Sequence, residues 1–451
     1  VVGPVTFDEG FYTPWPQVYT SLNGGTIDAQ GDVSSFSSTF GGTTRLIIDG
    51  STTQTLFGHD FQKSGSGMLP TTIKKPTNST LYIKGWLTFA LPGNATDSVT
   101  VFNYLSGIID TTGSTVDVYC GQWPGSGVHA GISANPNFVS FNRLRVGGGA
   151  YGVVHANTNL ACFDFEDYGS AGDQPSFFEA PDRLTVGHNF VDITTLSDGV
   201  TSNATFEAGD GLVLFQDQGT DPQVQAPSVQ FNNFEIDFAG YNHFWVVGPV
   251  NVNGYAKFAG QIYPKLFGWG DGTLYLKGDI YADNPWLAGS GDFPVSTVIC
   301  GAFGQRWHAS YSSSSDPNPW TLINVTIQKP SGLLDVDGSV AVWGNFSHVG
   351  SSVDTDLSGS SVWFIMPGYS PVAIAPGGLL FHNVTLYVNL GVHLVVVGGP
   401  IKMDHNLVEI GGTYASVSYG FAPPVVLYHG SLNNTLADPS FFNNPVIFQH
   451  Y

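Results

Sequence analysis

Of the 451 residues only 11% are charged, less than half of the roughly 25% usual in soluble globular proteins, while Gly reaches 57 residues and aromatics 14%. That balance excludes a disordered chain, which needs few aromatics and dense charge. The net charge of −21 with 14 Lys and Arg argues against nucleic acid or an anionic membrane surface as partner, because phosphate binding needs clustered cations and the nearest are Lys74-Lys75 and Arg143 with Arg145.

The chain begins at Val1 with neither a basic nor an apolar leader, which reads as a processed, secreted product or one cleaved from a precursor. No window sustains a helical period. Short β-branched and aromatic runs recur instead, among them Thr44–Asp49, Thr80–Lys84 and Thr115–Tyr119, each bounded by Gly, Ser, Asn or Pro. The predicted class is all-β. Residues 1–216, with long turn-rich gaps, read as a β-sandwich-like domain, and 217–451 as a β-solenoid or second β domain, with the polar stretch Gln216–Ser228 as boundary.

Cys120, Cys162 and Cys300 are an odd number without Cys-x-x-Cys spacing, so they allow at most one bridge, for which Cys120 and Cys162 are the candidate pair; three buried apolar thiols are the alternative. Gly125–Gly131 lacks the Lys-Ser/Thr of a phosphate loop and reads as a turn. Asp164, Glu166, Asp167 and Asp173 make the densest acidic patch, with Asp164 and Glu166 on one face if the segment is a strand. Paired carboxylates suit calcium, the one cofactor the sequence allows, or glycoside hydrolysis, and a solvated acidic loop is the plainer reading. Asp335 with Asp337, like Asp354 with Asp356, has the Asp-x-Asp form of calcium loops, but the remaining loop ligands do not follow. The 12 histidines are scattered singly, with no metal-binding spacing.

Beyond the boundary an irregular repeat emerges. Phe231-Asn-Asn233 leads to Gly248, Leu322-Ile-Asn324 to Gly338 and Phe381-His-Asn383 to Gly398, so Asn and Gly stand 15, 14 and 15 residues apart. Thr80-Leu-Tyr-Ile-Lys-Gly85 returns as Thr273-Leu-Tyr-Leu-Lys-Gly278, and Ser312–Pro319 reads as an exposed loop. Apolar alternation, turn and renewed alternation within about 22 residues is what a coil of parallel β-helix requires, with coils stacked about 4.8 Å apart. Residues 229–412 thereby resemble the right-handed parallel β-helix repeats of secreted adhesin and haemagglutinin-like surface proteins, though the copies are unevenly separated and richer in Trp, Phe and Pro. Tandem β-sandwich or jelly-roll domains would show the same alternation.

The uncharged run Leu357–Ile401 is broken by Pro367, Pro371 and Pro376, so no membrane-spanning helix is expected. Seven Asn-x-Ser/Thr sites, at Asn78, Asn94, Asn203, Asn324, Asn345, Asn383 and Asn433, permit glycosylation. No hydrolase elbow, zinc motif or polygalacturonase-like Asp-Asp, Gly-His-Gly and Arg-Ile-Lys set occurs. The expectation is a non-catalytic extracellular structural protein, a subunit of a surface fibre, adhesin or sheath that self-associates through β-strand contacts. Its partners would be copies of itself, joined at Val1–Thr20 or Phe441–Tyr451, and surface glycans. A viral capsid or spike protein and a β-helix polysaccharide-active enzyme are the rivals.

Overall fold

The computed structural model describes residues 3–8, 21–36, 41–59, 66–91, 97–121, 128–135, 137–149, 151–169, 175–193, 203–216, 222–227, 229–263, 272–283, 296–310, 320–366, 372–388, 393–397, 399, 401–411, 416–419, 425–427, 432–434 and 447–448. Among these residues every regular element is a strand, and no helix is long and apolar enough to cross a membrane. The chain divides into two compact units, Val1–Gln218 with Ala226–Gln230, and Gly219–Gln225 with Phe231–Tyr451.

Each unit is a parallel β-solenoid. In the first, one ladder runs in parallel register from Thr26–Ala29 through Arg45–Ile48, Thr71–Lys74, Val99–Ser106, His129–Ala134, Val153–Ala156 and Ser176–Glu179 to Ala204–Glu207. In the second, Pro249–Val252, Thr273–Leu276, Ser296–Ile299 and Trp320–Ile327 stack in the same way. The β-sandwich expected for residues 1–216 is therefore corrected. A sandwich is built from antiparallel pairs, whereas the described strands there pair in parallel with strands one coil away. The error has a physical cause, since inward and outward side chains alternate identically in both folds.

The strand Leu334–His348 shows how one coil is made. Its first part pairs with Gln305–Ser310 and its middle with Trp320–Ile323, while Phe346–His348 pairs with Val325–Ile327, so one strand crosses successive faces. The bends fall at Gly338 and Gly344, with φ of 81° and 89°. A Cβ on Gly338 would lie 2.2 Å from the carbonyl oxygen of Ala309 in the coil before, so both the sign of φ and the close approach require glycine. Val336, Val340, Val342 and Phe346 turn inward and are fully or almost fully buried.

The repeated asparagine has a defined task. The Oδ1 atoms of Asn233, Asn324 and Asn383 accept backbone N–H bonds from Tyr255 (3.3 Å), Asn345 (2.9 Å) and Asn406 (3.2 Å), which lie 22, 21 and 23 residues further on. Each therefore satisfies an N–H at a corner where the strand ladder is interrupted, and fixes the register of the next coil. Asn23, Asp32 and Asn137 do the same in the first unit.

Inside the coils the stacking is aromatic. Phe165 packs 4.9 Å from Phe190 and 5.5 Å from Phe178 between ring centroids, and Phe206 lies 5.3 Å from Phe190. These rings come from successive coils, and each buried one contributes about 1.5–3 kcal/mol from area alone.

Each unit also holds a buried lysine at a corner. Lys75 Nζ donates to Gly50 O (2.7 Å), Thr52 O (2.9 Å) and Gln54 Oε1 (2.6 Å), and Gln54 Nε2 reaches Ala29 O (3.1 Å) in the preceding coil. Lys329 Nζ donates to Phe303 O and Gln305 Oε1, both at 2.7 Å, and Gln305 Nε2 reaches Leu276 O (3.2 Å) and Gly278 O (2.8 Å). A lysine, a glutamine and backbone carbonyls thus join coils in both units, and burial pushes both ammonium groups below their ordinary pKa.

Candidate functional surface

The acidic strand is the first place to look for chemistry, and its alternation keeps Asp164 and Glu166 on one outward face, as the sequence pattern suggests, while turning Asp167 inward. In Asn159–Tyr168, Phe165 and Asp167 point inward and are buried, whereas Glu166 points outward. Glu166 is bonded by Arg143 and, at 2.8 Å, by Arg145 Nε. Asp164 Oδ1 lies 2.8 Å from His188 Nδ1 and accepts from Asn189 Nδ2 at 3.0 Å. Asp167 stands in register with Asp192 of the next coil, both 2% exposed. Three neighbouring acids therefore serve three different environments, and they do not converge on one calcium ion; Asp173 lies outside the described residues. Asp335 is exposed, while Asp337 beside it is bonded by Arg306 and His308, which hold its carboxyl below the usual range against the opposing effect of burial.

The pairing of Cys120 with Cys162 is likewise corrected, since both are free, buried thiols. Cys120 stands in register with Gly148 and Cys162 with Phe141, positions toward opposite ends of the strand Phe138–Gly148. Burial pushes both thiols up, so neither is a poised nucleophile.

A polar ladder covers the outer face of the same coils. Thr88, Asp117, Arg145 and Glu166 follow one another in register across successive strands. Asp117 is 3% exposed and accepts the Tyr168 hydroxyl at 2.6 Å, and the Arg145 guanidinium lies between the rings of Trp86 (4.9 Å) and Tyr168 (4.5 Å). Burial raises the Asp117 carboxyl, and the nearby Arg145 charge pulls it back. The arrangement clamps coils together through cation–π and charged contacts and leaves Asp117 sealed from solvent.

One groove lies further along the first unit. It has a volume of about 340 Å³ and is lined by Ser98, Thr100, His129, His155, Asn157 and Glu179, with Gly131 among them. His129, His155 and Glu179 come from strands one coil apart, which the ladder His129–Ala134, Val153–Ala156, Ser176–Glu179 brings side by side. His155 Nδ1 is 2.6 Å from Glu179 Oε2 and its Nε2 is 2.5 Å from Asn157 Oδ1. His129 Nδ1 is 3.6 Å from the same Glu179 oxygen and makes no hydrogen bond. Such a lining offers both donors and acceptors to a hydroxyl-rich ligand.

Of the sequons, Asn78 is exposed in a turn, Asn345 is exposed and Asn203 is half-buried. Asn324 and Asn383 hold corners through Oδ1. Asn433 lies in the strand Leu432–Asn434, and Asn94 falls outside the described residues, as do Ser312–Pro319, Gly125–Gly127 and most of Val1–Thr20 and Phe441–Tyr451.

No family model, no curated protein and no solved structure matches this chain. The geometry alone carries the functional reading.

Sequence spacing within a few residues missed the groove because its members lie about a coil apart. Grouping titratable residues at separations of 20–30 would have found it. The same rule finds His382 with Asp404 and His405, the one trio of His, Cys, Asp or Glu side chains among the described residues that converges closely enough to hold a metal ion.

Proposed function

We propose that this chain is a non-catalytic extracellular structural protein, a subunit of a surface fibre, adhesin or sheath that associates with copies of itself by strand addition. The observation that carries the reading is the parallel stacking of coils, in which a strand such as Arg45–Ile48 is bonded along one edge by Thr26–Ala29 and along the other by Thr71–Lys74. Interior strands satisfy both edges in this way, and a terminal coil has an edge to offer. Val5–Phe7 pairs in parallel with Val33–Ser35, with Val5 N–H donating to Asp32 O and Phe7 O accepting from Phe36 N–H, which turns the N–H and carbonyl of Thr6 toward the opposite edge. Further support comes from the polar groups described above, most of which link coil to coil.

Sedimentation and negative-stain microscopy of the full chain over a range of concentrations test the reading. Linear or laterally ordered assemblies are expected, and Thr6→Pro, which deletes the outward N–H while sparing the inward ones, should suppress them. A chain that stays monomeric at all concentrations, or assembles unchanged with Thr6→Pro, would sink strand addition at this edge. Secretion is tested by expression in a eukaryotic secretory host, where a glycan on exposed Asn78 is expected.

A second reading, contact with or cleavage of a polysaccharide, is favoured by the groove in which Glu179 faces both His155 and His129. A glycan panel tests it. Binding or hydrolysis that disappears with Glu179→Gln supports a carbohydrate site, and an unresponsive panel removes it.

A further inference from the structure

We propose that His382, Asp404 and His405 form a binding site for a divalent transition-metal ion of the zinc class. His382 occupies the bend between strands Leu380–Phe381 and Asn383–Val388, and Asp404-His405 occupies the equivalent bend one coil later, between Ile401–Met403 and Leu407–Gly411. Backbone bonds lock the two bends together. Asp404 N donates to Phe381 O and His405 N to His382 O, both at 3.0 Å, and the Asn383 side chain receives Asn406 N. This register brings the two imidazoles together with centroids 3.8 Å apart and planes tilted by 44°, and sets both Nδ1 atoms 3.2 Å from the same oxygen, Asp404 Oδ1.

The spacing is that of a coordination shell. Zinc binds imidazole nitrogen at about 2.0–2.1 Å and carboxylate oxygen at about 2.0–2.2 Å, so adjacent ligand atoms of a tetrahedral site stand about 3.3 Å apart. All three ligand atoms lie within 4.8 Å of one another. Two imidazoles and one carboxylate favour Zn²⁺, Cu²⁺ or Ni²⁺ over Ca²⁺ or Mg²⁺, which prefer oxygen. Side-chain exposures of 26%, 33% and 53% for His382, Asp404 and His405 leave an entry path and a fourth position for water. The ion would tie one coil to the next through side chains, beside the backbone bonds already there. The groove trio is different, because both ring nitrogens of His155 are engaged by Glu179 and Asn157.

The test uses the full chain, stripped with chelator and titrated with ZnCl2 by calorimetry and with CoCl2 by visible absorption. One ion per chain, a four-coordinate Co²⁺ spectrum and a higher melting temperature with Zn²⁺ are expected. His382→Ala with His405→Ala should weaken binding by about 100-fold or more, since even outer-shell changes cost 10–100-fold. The single variant His405→Gln, at the most exposed of the three positions, should weaken it in the same direction, and His155→Ala should bind as the unaltered chain does. Absence of Zn²⁺ and Co²⁺ binding, or binding undiminished in both His405 variants, would overturn the site.

Discussion

The corner at Lys75 in the first unit and the corner at Lys329 in the second solve one problem with different completeness. Each places an ammonium group under a coil corner, bonded to a glutamine 21 or 24 residues earlier in the chain. Around them the chain reads Thr72-Ile-Lys-Lys75-Pro76 in one case and Thr326-Ile-Gln-Lys329-Pro330 in the other, preceded by Gly50-x-x-x-Gln54 and Gly301-x-x-x-Gln305. Lys75 is 1% exposed with three oxygen acceptors, and Lys329 is 6% exposed with two. A buried cation is tolerated where the corner supplies enough carbonyls to replace water, and the better supplied corner buries it more deeply.

Removing the cation should separate the two corners most sharply. Lys75→Met strands the acceptor on Gln54 and two backbone carbonyls, and at about 1–3 kcal/mol for each stranded acceptor is expected to cost about 3–5 kcal/mol in guanidinium unfolding. Lys329→Met, with fewer acceptors to strand, should cost less, about 2–3 kcal/mol. Equal losses would break the comparison. Pairing Lys75→Met with Gln54→Leu should recover part of the loss, since an absent acceptor needs no donor.

The duplicated Thr-Leu-Tyr-x-Lys-Gly segments give the next test. A Cβ on Gly85 would meet Gly58 O at 1.9 Å and one on Gly278 would meet Gly254 O at 1.8 Å, but only Gly85, at φ 73°, also has a left-handed backbone. Both alanine variants should destabilise their units by displacing the neighbouring coil. Gly85→Ala should be the worse by about 1 kcal/mol, the added cost of positive φ for a side chain, read as the difference between the two unfolding free energies.

The last expected effect runs the other way. Burial, reinforced by the Asp192 charge, raises the Asp167 carboxyl well above its usual value. The folded chain therefore keeps that proton to higher pH than the unfolded chain, so its contribution to stability is complete below about pH 4 and is lost as pH rises toward the folded value. Asp167→Asn should stabilise the chain at neutral pH by about 1–2 kcal/mol and flatten the decline of stability with pH, measured by denaturant unfolding from mildly acidic to mildly alkaline buffer. No gain at neutral pH would mean that the Asp167 and Asp192 carboxyls are not in conflict.

Much of the architecture was legible because a β-helix writes part of its geometry into local pattern. Asn233, Asn324 and Asn383 stood out in the sequence as markers and are the corner residues that bond the next coil. Gly338, which closes one of the repeats, is a bend with a left-handed backbone. The first unit was misread because its corner residues, Asn23, Asp32 and Asn137, are not embedded in a constant surrounding sequence. Sites fared worse than fold. Asp164 and Glu166 share an outward face but bond different partners while Asp167 turns inward, whereas His382 and His405 are remote in sequence and meet with ring centroids 3.8 Å apart.

What the amino-acid order determined by itself is the all-β class, the alternation that decides which residues face inward, and glycine at the bends, because each of these follows from a residue and its immediate neighbours. Which strand lies beside which, and so which Lys, Asp and His side chains meet, was decided only by the stacking of coils of unequal length. Equivalent corner contacts are separated by 22, 21 and 23 residues, and no local pattern records that length.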